Sequence, residues 1–279
     1  MHVALLTDIP VWVRPLANAL EKVGATVSIV EERGWEEGAD VVVNRLSTAV
    51  IRRAPEYANE LFEFLLKNEK VGSRVINGSL CLEIGWSKFR QHQLFESMEV
   101  RTPRTALIEN GERSFPEIPV LLKPPAGGFG KGIEELGVGD PIRPELVGKG
   151  WIEQEKIVAV DNAVHRVELL GDRILYEAVS PLDEGNFNYC LAKATDETSV
   201  LQEEQVSVRV KEPILRIARE MGMEIGAIEY MLNQEERPVF IDINPVSSLH
   251  PDSKKVLGSE PLDLVARYIV ERKVEAQPC

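Results

Sequence analysis

Over residues 1–80 the apolar positions fall into short runs, each closed by polar residues or glycine. Residues 3–6 form one run, ending in Thr7 and Asp8, and read as a strand. Leu16, Leu20 and Val23 have helical spacing, which predicts a helix over 14–23 stopped by Gly24. Residues 25–30 and 41–43 read as further strands, the second running into Asn44 and Arg45. Tyr57, Leu61, Phe64 and Leu65 predict an amphipathic helix over 56–67, and Val75 and Ile76 a short strand ahead of Asn77 and Gly78. Strands alternating with helices indicate βαβ units and a mostly parallel sheet. Ligands of such sheets sit at the carboxyl ends of the strands. Asp8 and Arg45 stand there and are candidates to touch a substrate, although ordinary strand-end polarity is the plainer reading of each.

The pattern changes after residue 86. Ser87 is a good N-cap, and a helix is expected from Lys88 to about Met98, its first lysine adding to the positive potential of the helix start. Residues 105–180 are rich in strand signals, at 105–108, 119–123, 151–157, 164–170 and 173–179, with Gly171 and Asp172 as a tight turn between the last two. Residues 181–207 are polar and irregular, a length that inside a compact domain points to function or disorder. A helix over 212–221 closes at Gly222. Residues 225–232 and 238–243 then read as an antiparallel pair around the turn 233–236. Ser259 is expected to cap a last helix, with Pro261 in its first turn and an end near Lys273.

Two stretches carry candidate chemistry. In the first, a buried strand at 120–122 ends in Lys123. It is followed by Gly127, Gly128, Gly130 and Gly132, with Lys131 among them. Glycines free the backbone for positive φ and close approach, and N–H groups beside lysines cradle phosphates. A glycine-rich hairpin with surface lysines is the bland alternative. The stretch is no P-loop, since Gly132 follows Lys131, and no Gly-x-Gly-x-x-Gly opens a helix after a strand. In the second stretch, Glu229 interrupts an apolar run, and Asp242 and Asn244 lie two apart, on one face of the facing strand. Two carboxylates and an amide are costly to bury unpaired, and three hard oxygens suit Mg²⁺ completed by water and phosphate. A polar outer face fits poorly among so many apolar neighbours.

Composition narrows the classes. The chain has 279 residues, roughly two domain lengths, with 44% hydrophobic and 28% charged residues, as in an ordinary soluble protein. The net charge of −13 disfavours nucleic-acid and membrane surfaces. An acidic chain that binds phosphates must gather its lysines and recruit a divalent cation. Cys81, Cys190 and Cys279 are scattered and odd in number, which fits a reducing cytoplasm better than a disulfide framework or zinc cluster. No signal sequence and no membrane-length apolar run is read. His2, His92, His165 and His250 are isolated and read as structural or surface residues.

Taken in order, these residues resemble the ATP-grasp superfamily and, within it, the RimK-like, glutathione-synthetase-like carboxylate–amine ligases. The resemblance spans nearly the whole chain: an α/β segment, Ser87-Lys88 before a helix, Lys-Pro with a glycine loop, Gln154-Glu155-x-Ile157, then Asp242-x-Asn244. It implies an α/β (α+β) fold, with an N-terminal pre-ATP-grasp parallel-sheet domain at 1–86 and an ATP-grasp domain at 87–279. The latter includes a β-rich lid at about 105–160. It implies that Lys88 and Lys123 contact the ATP phosphates and that Gly127, Gly128, Gly130, Lys131 and Gly132 form a moving cover over them. Gln154, Glu155 and Ile157 would make the adenine hinge, Asp161 the ribose contact, and Ile241 one face of the adenine pocket. Glu229, Asp242 and Asn244 would hold Mg²⁺, with Mn²⁺ as the alternative, and Arg166 would face the phosphates or acyl phosphate.

The implied activity is phosphorylation of a carboxylate by ATP and capture of the acyl phosphate by an amine, on an amino acid or small peptide-like acid. Two features depart from the family. Asn188 stands where an arginine is expected, leaving Lys193 as the cation of that loop, and the run from Asn244 lacks Asn-x-Ser-Pro-Gly. A nucleotide-binding regulator without turnover and a kinase with a hydroxyl acceptor therefore remain as alternatives. The oligomeric state stays open, a homo-oligomer included.

Overall fold

Three sheets organise the described residues. The computed structural model describes residues 1–31, 38–48, 50, 55–128, 130–182, 198–247, 249–250 and 252–271. The first sheet contains β1 (His2–Thr7), β2 (Thr26–Glu31), β3 (Val41–Asn44) and β4 (Arg74–Ile76), in the order β2-β1-β3-β4 with every pairing parallel. β1 and β3 are apolar almost throughout because both faces are covered. Val3 and Leu5 pack under α1 (Pro10–Lys22) and the last helix, α7 (Pro261–Glu271). Ala4 and Leu6 pack on the opposite face, against α2 (Pro55–Lys70).

Two short helices follow, α3 (Ser79–Gly85) and α4 (Lys88–Ser97), the second capped by Ser87, whose Oγ accepts from Arg90 N at 3.3 Å. The second sheet is antiparallel, order β5-β8-β6-β7, from β5 (Thr105–Leu107), β6 (Val120–Lys123), β7 (Glu134–Leu136) and β8 (Ile152–Glu155). The third is also antiparallel, order β11-β10-β9-β12-β13. It holds β9 (Ala163–Leu170), β10 (Arg173–Pro181), β11 (Ser199–Gln202), β12 (Ile225–Leu232) and β13 (Pro238–Asn244). Helix α5 (Val208–Glu220) lays Val210, Ile214 and Ile217 on one face of this sheet, with Phe95 of α4 beside it; α6 (Ser253–Leu257) precedes α7. Among the described residues no helix is long and apolar enough to cross a membrane.

Several elements differ from the sequence expectations. Helix α1 begins at Pro10, whose missing N–H costs nothing at a helix start, so Pro15 lies inside the helix. Helix α5 likewise begins at Val208, under a Ser207 cap, although Pro213 suggests a later start. Glu260, not Ser259, supplies the carbonyl that opens α7, accepting from Asp263 N at 3.0 Å. Strand β8 stops at Glu155, so Ile157 lies beyond the ladder. Strand β11 falls in the stretch expected to be irregular, and α3, α6 and β7 are too short to leave a periodic signal.

Two clamps tie the first sheet to the third. Asn77, at the end of β4, is buried; its amide donates to the carbonyls of Ile225 (2.5 Å) and Pro245 (2.8 Å) and accepts from Glu224 N (2.7 Å). Glu224 accepts from Arg74 (2.7 Å) and from the Tyr268 hydroxyl (2.6 Å). A Cβ on Gly85 would lie 2.2 Å from the Pro245 ring, so the end of α3 and the turn after β13 approach as closely as only glycine allows.

Candidate active site

The site is built on β9, β12 and β13. Along β9, Val167 and Leu169 face the helices while Arg166 and Glu168 face the other way, as the two-residue period requires. Glu229 follows the same rule on β12, between Ile228 and Tyr230. On β13 strict alternation would put Phe240 on the face of Asp242 and Asn244. A bulge prevents this: Glu229 pairs with Asp242 and Tyr230 with Phe240, so Ile241 is the extra residue. Phe240 therefore joins the core beside Tyr230, and Asp242 and Asn244 share the face of Glu229.

These side chains form one hydrogen-bonded set. Arg166 donates through Nε to Glu168 Oε1 (2.8 Å) and through Nη1 to Glu229 Oε1 (2.6 Å). Asn244 Nδ2 donates to the same Glu229 oxygen at 3.1 Å, which leaves the amide oxygen for another partner. The Lys88 ammonium pairs with Asp242. Helix α4 explains how: Gln91, one turn after Lys88, hydrogen-bonds both the N–H and the carbonyl of Ile243 at 3.1 Å on the edge strand, and residues three apart share a helix face. Lys88 N also donates to Pro125 O at 3.0 Å, joining the start of α4 to the glycine loop.

Burial and neighbouring charges set the electrostatics of this set. Glu229 is 6% exposed, and burial raises its carboxyl above the usual range; Arg166 opposes this and Asp242 adds to it. Burial lowers the Lys123 amine to about 8, helped by Lys88 and opposed by Asp242 and Glu229. Lys123, at the end of β6, thus lies within reach of the charges on α4, β12 and β13.

The structure gathers Lys88, Lys123, Arg166, Glu229, Asp242 and Asn244. The other candidates lie along the second sheet and its exit. Gly127 to Gly132 connect β6 to β7, with Gly130 at φ 67° and Gly132 at φ 81°; Lys131 is exposed. Gln154 is buried and donates to Thr105 Oγ1 at 2.9 Å, Glu155 Oε2 accepts from Arg104 N at 3.2 Å, and Ile157 is half-buried. Asp161 accepts from Ala163 N (3.3 Å) and pairs with His165 Nε2 (2.7 Å). Burial alone would lower the His165 imidazole, but Glu177 and Asp161 outweigh it and hold it above its ordinary value. Phe129, Asn188, Lys193 and Ser248 lie outside the described residues.

Sequence reasoning missed Glu168, Gln91, Asn77 and Ser247 as parts of this region. Glu168 alone left a signal, two residues after Arg166 in an apolar run.

No protein-family model matches the chain, and no curated protein sequence matches it. Solved structures do match its fold. The ATP-grasp ligase PsnB, in complex with a phosphomimetic variant of its minimal precursor, Mg and ADP, superposes with a TM-score of 0.69 at 15% identity, over 97% of each chain. The D-cycloserine synthetase DcsG gives 0.70 at 14% identity, over 97% of this chain and 99% of that one. A RimK domain ATP-grasp protein from Sphaerobacter thermophilus gives 0.68 at 16% identity, over 97% and 100%. With one parallel and two antiparallel sheets among its described residues, and these superpositions, this chain has the ATP-grasp fold.

Proposed function

We propose that this chain is an ATP-dependent ligase that joins a carboxylate to an amine through an acyl phosphate, on an amino acid or small peptide-like substrate. The observation that carries this reading is the convergence of Lys88, Arg166, Glu229, Asp242 and Asn244 on one face, with Lys123 in reach of their charge. The fold adds support, since its solved counterparts include ligases, one of them holding Mg and ADP.

In this reading Lys88 and Lys123 hold the ATP phosphates, and the Gly127–Gly132 loop with Lys131 covers them. Gln154, Glu155 and Ile157 border the adenine with Ile241, and Asp161 takes the ribose. Glu229, Asp242 and the Asn244 amide oxygen fit a hard divalent cation, Mg²⁺ or Mn²⁺. Among the described residues no three His, Cys, Asp or Glu side chains gather as a metal site, so phosphate and water would complete the shell. Bound there, the cation would offset charge on the phosphates. Arg166 stands against Glu229, ready to face the transferred phosphoryl group, and Lys193 is the second cation proposed for catalysis.

The chemistry balances without a protein nucleophile. A carboxylate oxygen attacks the γ-phosphorus in line, the bond to the β–γ bridging oxygen breaks, and ADP leaves. The amine attacks the acyl carbon and loses a proton as the C–O bond to phosphate breaks. Both steps need positioning and charge stabilisation above all, which lysines and arginine supply.

The test is phosphate release from ATP and Mg²⁺ with pools of amino acids, small acids and amines. Release is expected to require both an acid and an amine and to vanish in Lys123→Ala. Release with a hydroxyl compound alone would make the protein a kinase. If neither ATP nor ADP stabilises the fold with Mg²⁺ present, the nucleotide site itself is wrong; about 3 kcal/mol is expected at ~100-fold excess over Kd.

A further inference from the structure

Beside the proposed phosphate site lies a second cluster, of which the reaction above uses Arg166 alone. Arg45 leaves the carboxyl end of β3 and donates through Nη2 to the Ser247 carbonyl. Arg166 reaches the same residue from β9, its Nη2 3.5 Å from Ser247 Oγ. Ser247 thus joins the two arginines, and Arg166 continues the chain of contacts to Glu168. The next residues of that turn pack onto β10, where His250 N donates to the Tyr176 hydroxyl at 2.6 Å.

Three groups in this cluster are under-used. The Ser247 carbonyl is the one partner of the Arg45 guanidinium among the described residues, so Nε and Nη1 are left over. Glu168 is 0% exposed, and its Oε2 has no hydrogen-bond partner. His250 is 1% exposed, and its Nε2 has none either. Orphaned buried polar atoms are uncommon and costly, so each calls for an explanation. Burial, incompletely offset by Glu168, lowers Arg45 to about 10. The cluster therefore holds guanidinium donors without an acceptor and a carboxylate oxygen without a donor.

We propose that this cluster is the binding site for the head group of an α-amino acid, with Arg45 taking its carboxylate and Glu168 its ammonium. A fork of guanidinium donors matches a carboxylate, and an ammonium offers the N–H that Glu168 Oε2 lacks. Ser247 lies three residues beyond Asn244, so the head group would sit next to the reacting centre without being the carboxylate that is phosphorylated. The inference deepens the ligase reading and rests on it for the location of that centre. It makes an amino acid one of the two substrates, recognised by an arginine from the first sheet.

The experiment is equilibrium binding to the whole chain with Mg²⁺ and ADP. The probes are the proteinogenic L-amino acids, their carboxamides, and the matching acids without the amino group. At least one amino acid is expected to bind. Its carboxamide should bind about tenfold more weakly or worse, the loss for one charged contact. Arg45→Met should erase that preference, and Glu168→Gln should erase the preference over the acid without the amino group. Equal binding of acid and amide, preference surviving in Arg45→Met, or no binding by any amino acid overturns the proposal. Should Arg45→Met fail to fold, phenylglyoxal modification of Arg45 in the unaltered protein decides: the binding amino acid should slow it and its amide should not, and unchanged modification overturns the proposal. Loss of ADP binding alone would instead count against the nucleotide site.

Discussion

The hairpin β12–β13 and the loop between β6 and β7 carry charged residues proposed for one site, and they are built by opposite means. In the hairpin a cross-strand ladder fixes Glu229 opposite Asp242, a bulge sets the face, and Lys88, Arg166 and Asn244 lock the carboxylates. In the loop the backbone is held by long hydrogen bonds, Lys131 N to Gly128 O and Ile133 N to Gly130 O, both 3.3 Å. Two of its glycines use positive φ, and its lysine is exposed. In the proposed reaction, charges that must meet a metal and a transferred phosphoryl group to within tenths of an ångström need the first construction. A cover that lets nucleotide in and out needs the second.

The largest effects should come from breaking the rigid partner. Asp242→Ala is expected to lower acid- and amine-dependent phosphate release by about 10³-fold, with the folded state retained by circular dichroism. Lys131→Ala, in the loop, should cost about tenfold, chiefly in the KM for ATP. Equal losses in kcat would mean that the two regions do not differ as argued.

Glycine substitutions sharpen the contrast through stability. A Cβ on Gly226 would lie 2.7 Å from the Asn244 carbonyl and 2.5 Å from Met223 Sδ. Gly226→Ala should therefore destabilise by about 2 kcal/mol, read in a urea melt, because the β13 backbone has to shift. Gly130→Ala should cost about 1 kcal/mol through its φ of 67°. A larger loss at Gly130 than at Gly226 would reverse the assignment of rigid and compliant regions.

The smallest expected effect is a proton. Lys123 has its folded pKa near 8, below the ordinary 10.5, so between these values the folded chain holds fewer protons than the unfolded one. Stability contributed by this group thus rises with pH across that window and is absent below it. In the proposed site, phosphates beside the amine would restore its charge, so nucleotide binding should take up a fraction of a proton between about pH 8 and 10. Calorimetry in buffers of differing ionisation enthalpy measures this, and uptake that persists in Lys123→Met assigns the proton to another group.

Much of this arrangement is legible locally. Asp242 and Asn244 share a face because they are two apart on a strand, and Asn233 offers the turn that brings Glu229 opposite, its Oδ1 accepting from Arg237 N at 2.9 Å. Ser87 reads as a cap and is one. Other features leave no local trace. The bulge at Ile241 turns Phe240 into the core beside Tyr230, and that core is assembled from residues far along the chain.

The sequence by itself determined most of the longer elements and which faces carry charge, since helix and strand periods depend on neighbours a few residues apart. It also set out the ordered residues that resemble the ATP-grasp ligases. Only the tertiary structure decided which charges meet. Lys88 reaches Asp242 because Gln91 docks α4 on the edge of β13, and Arg166 finds Glu229 because β9 and β12 are neighbours. Arg45 shares Ser247 with Arg166 because Asn77 clamps the first sheet to the third. Those contacts depend on how apolar faces stack across 63 to 202 residues of chain, and local periodicity does not encode that.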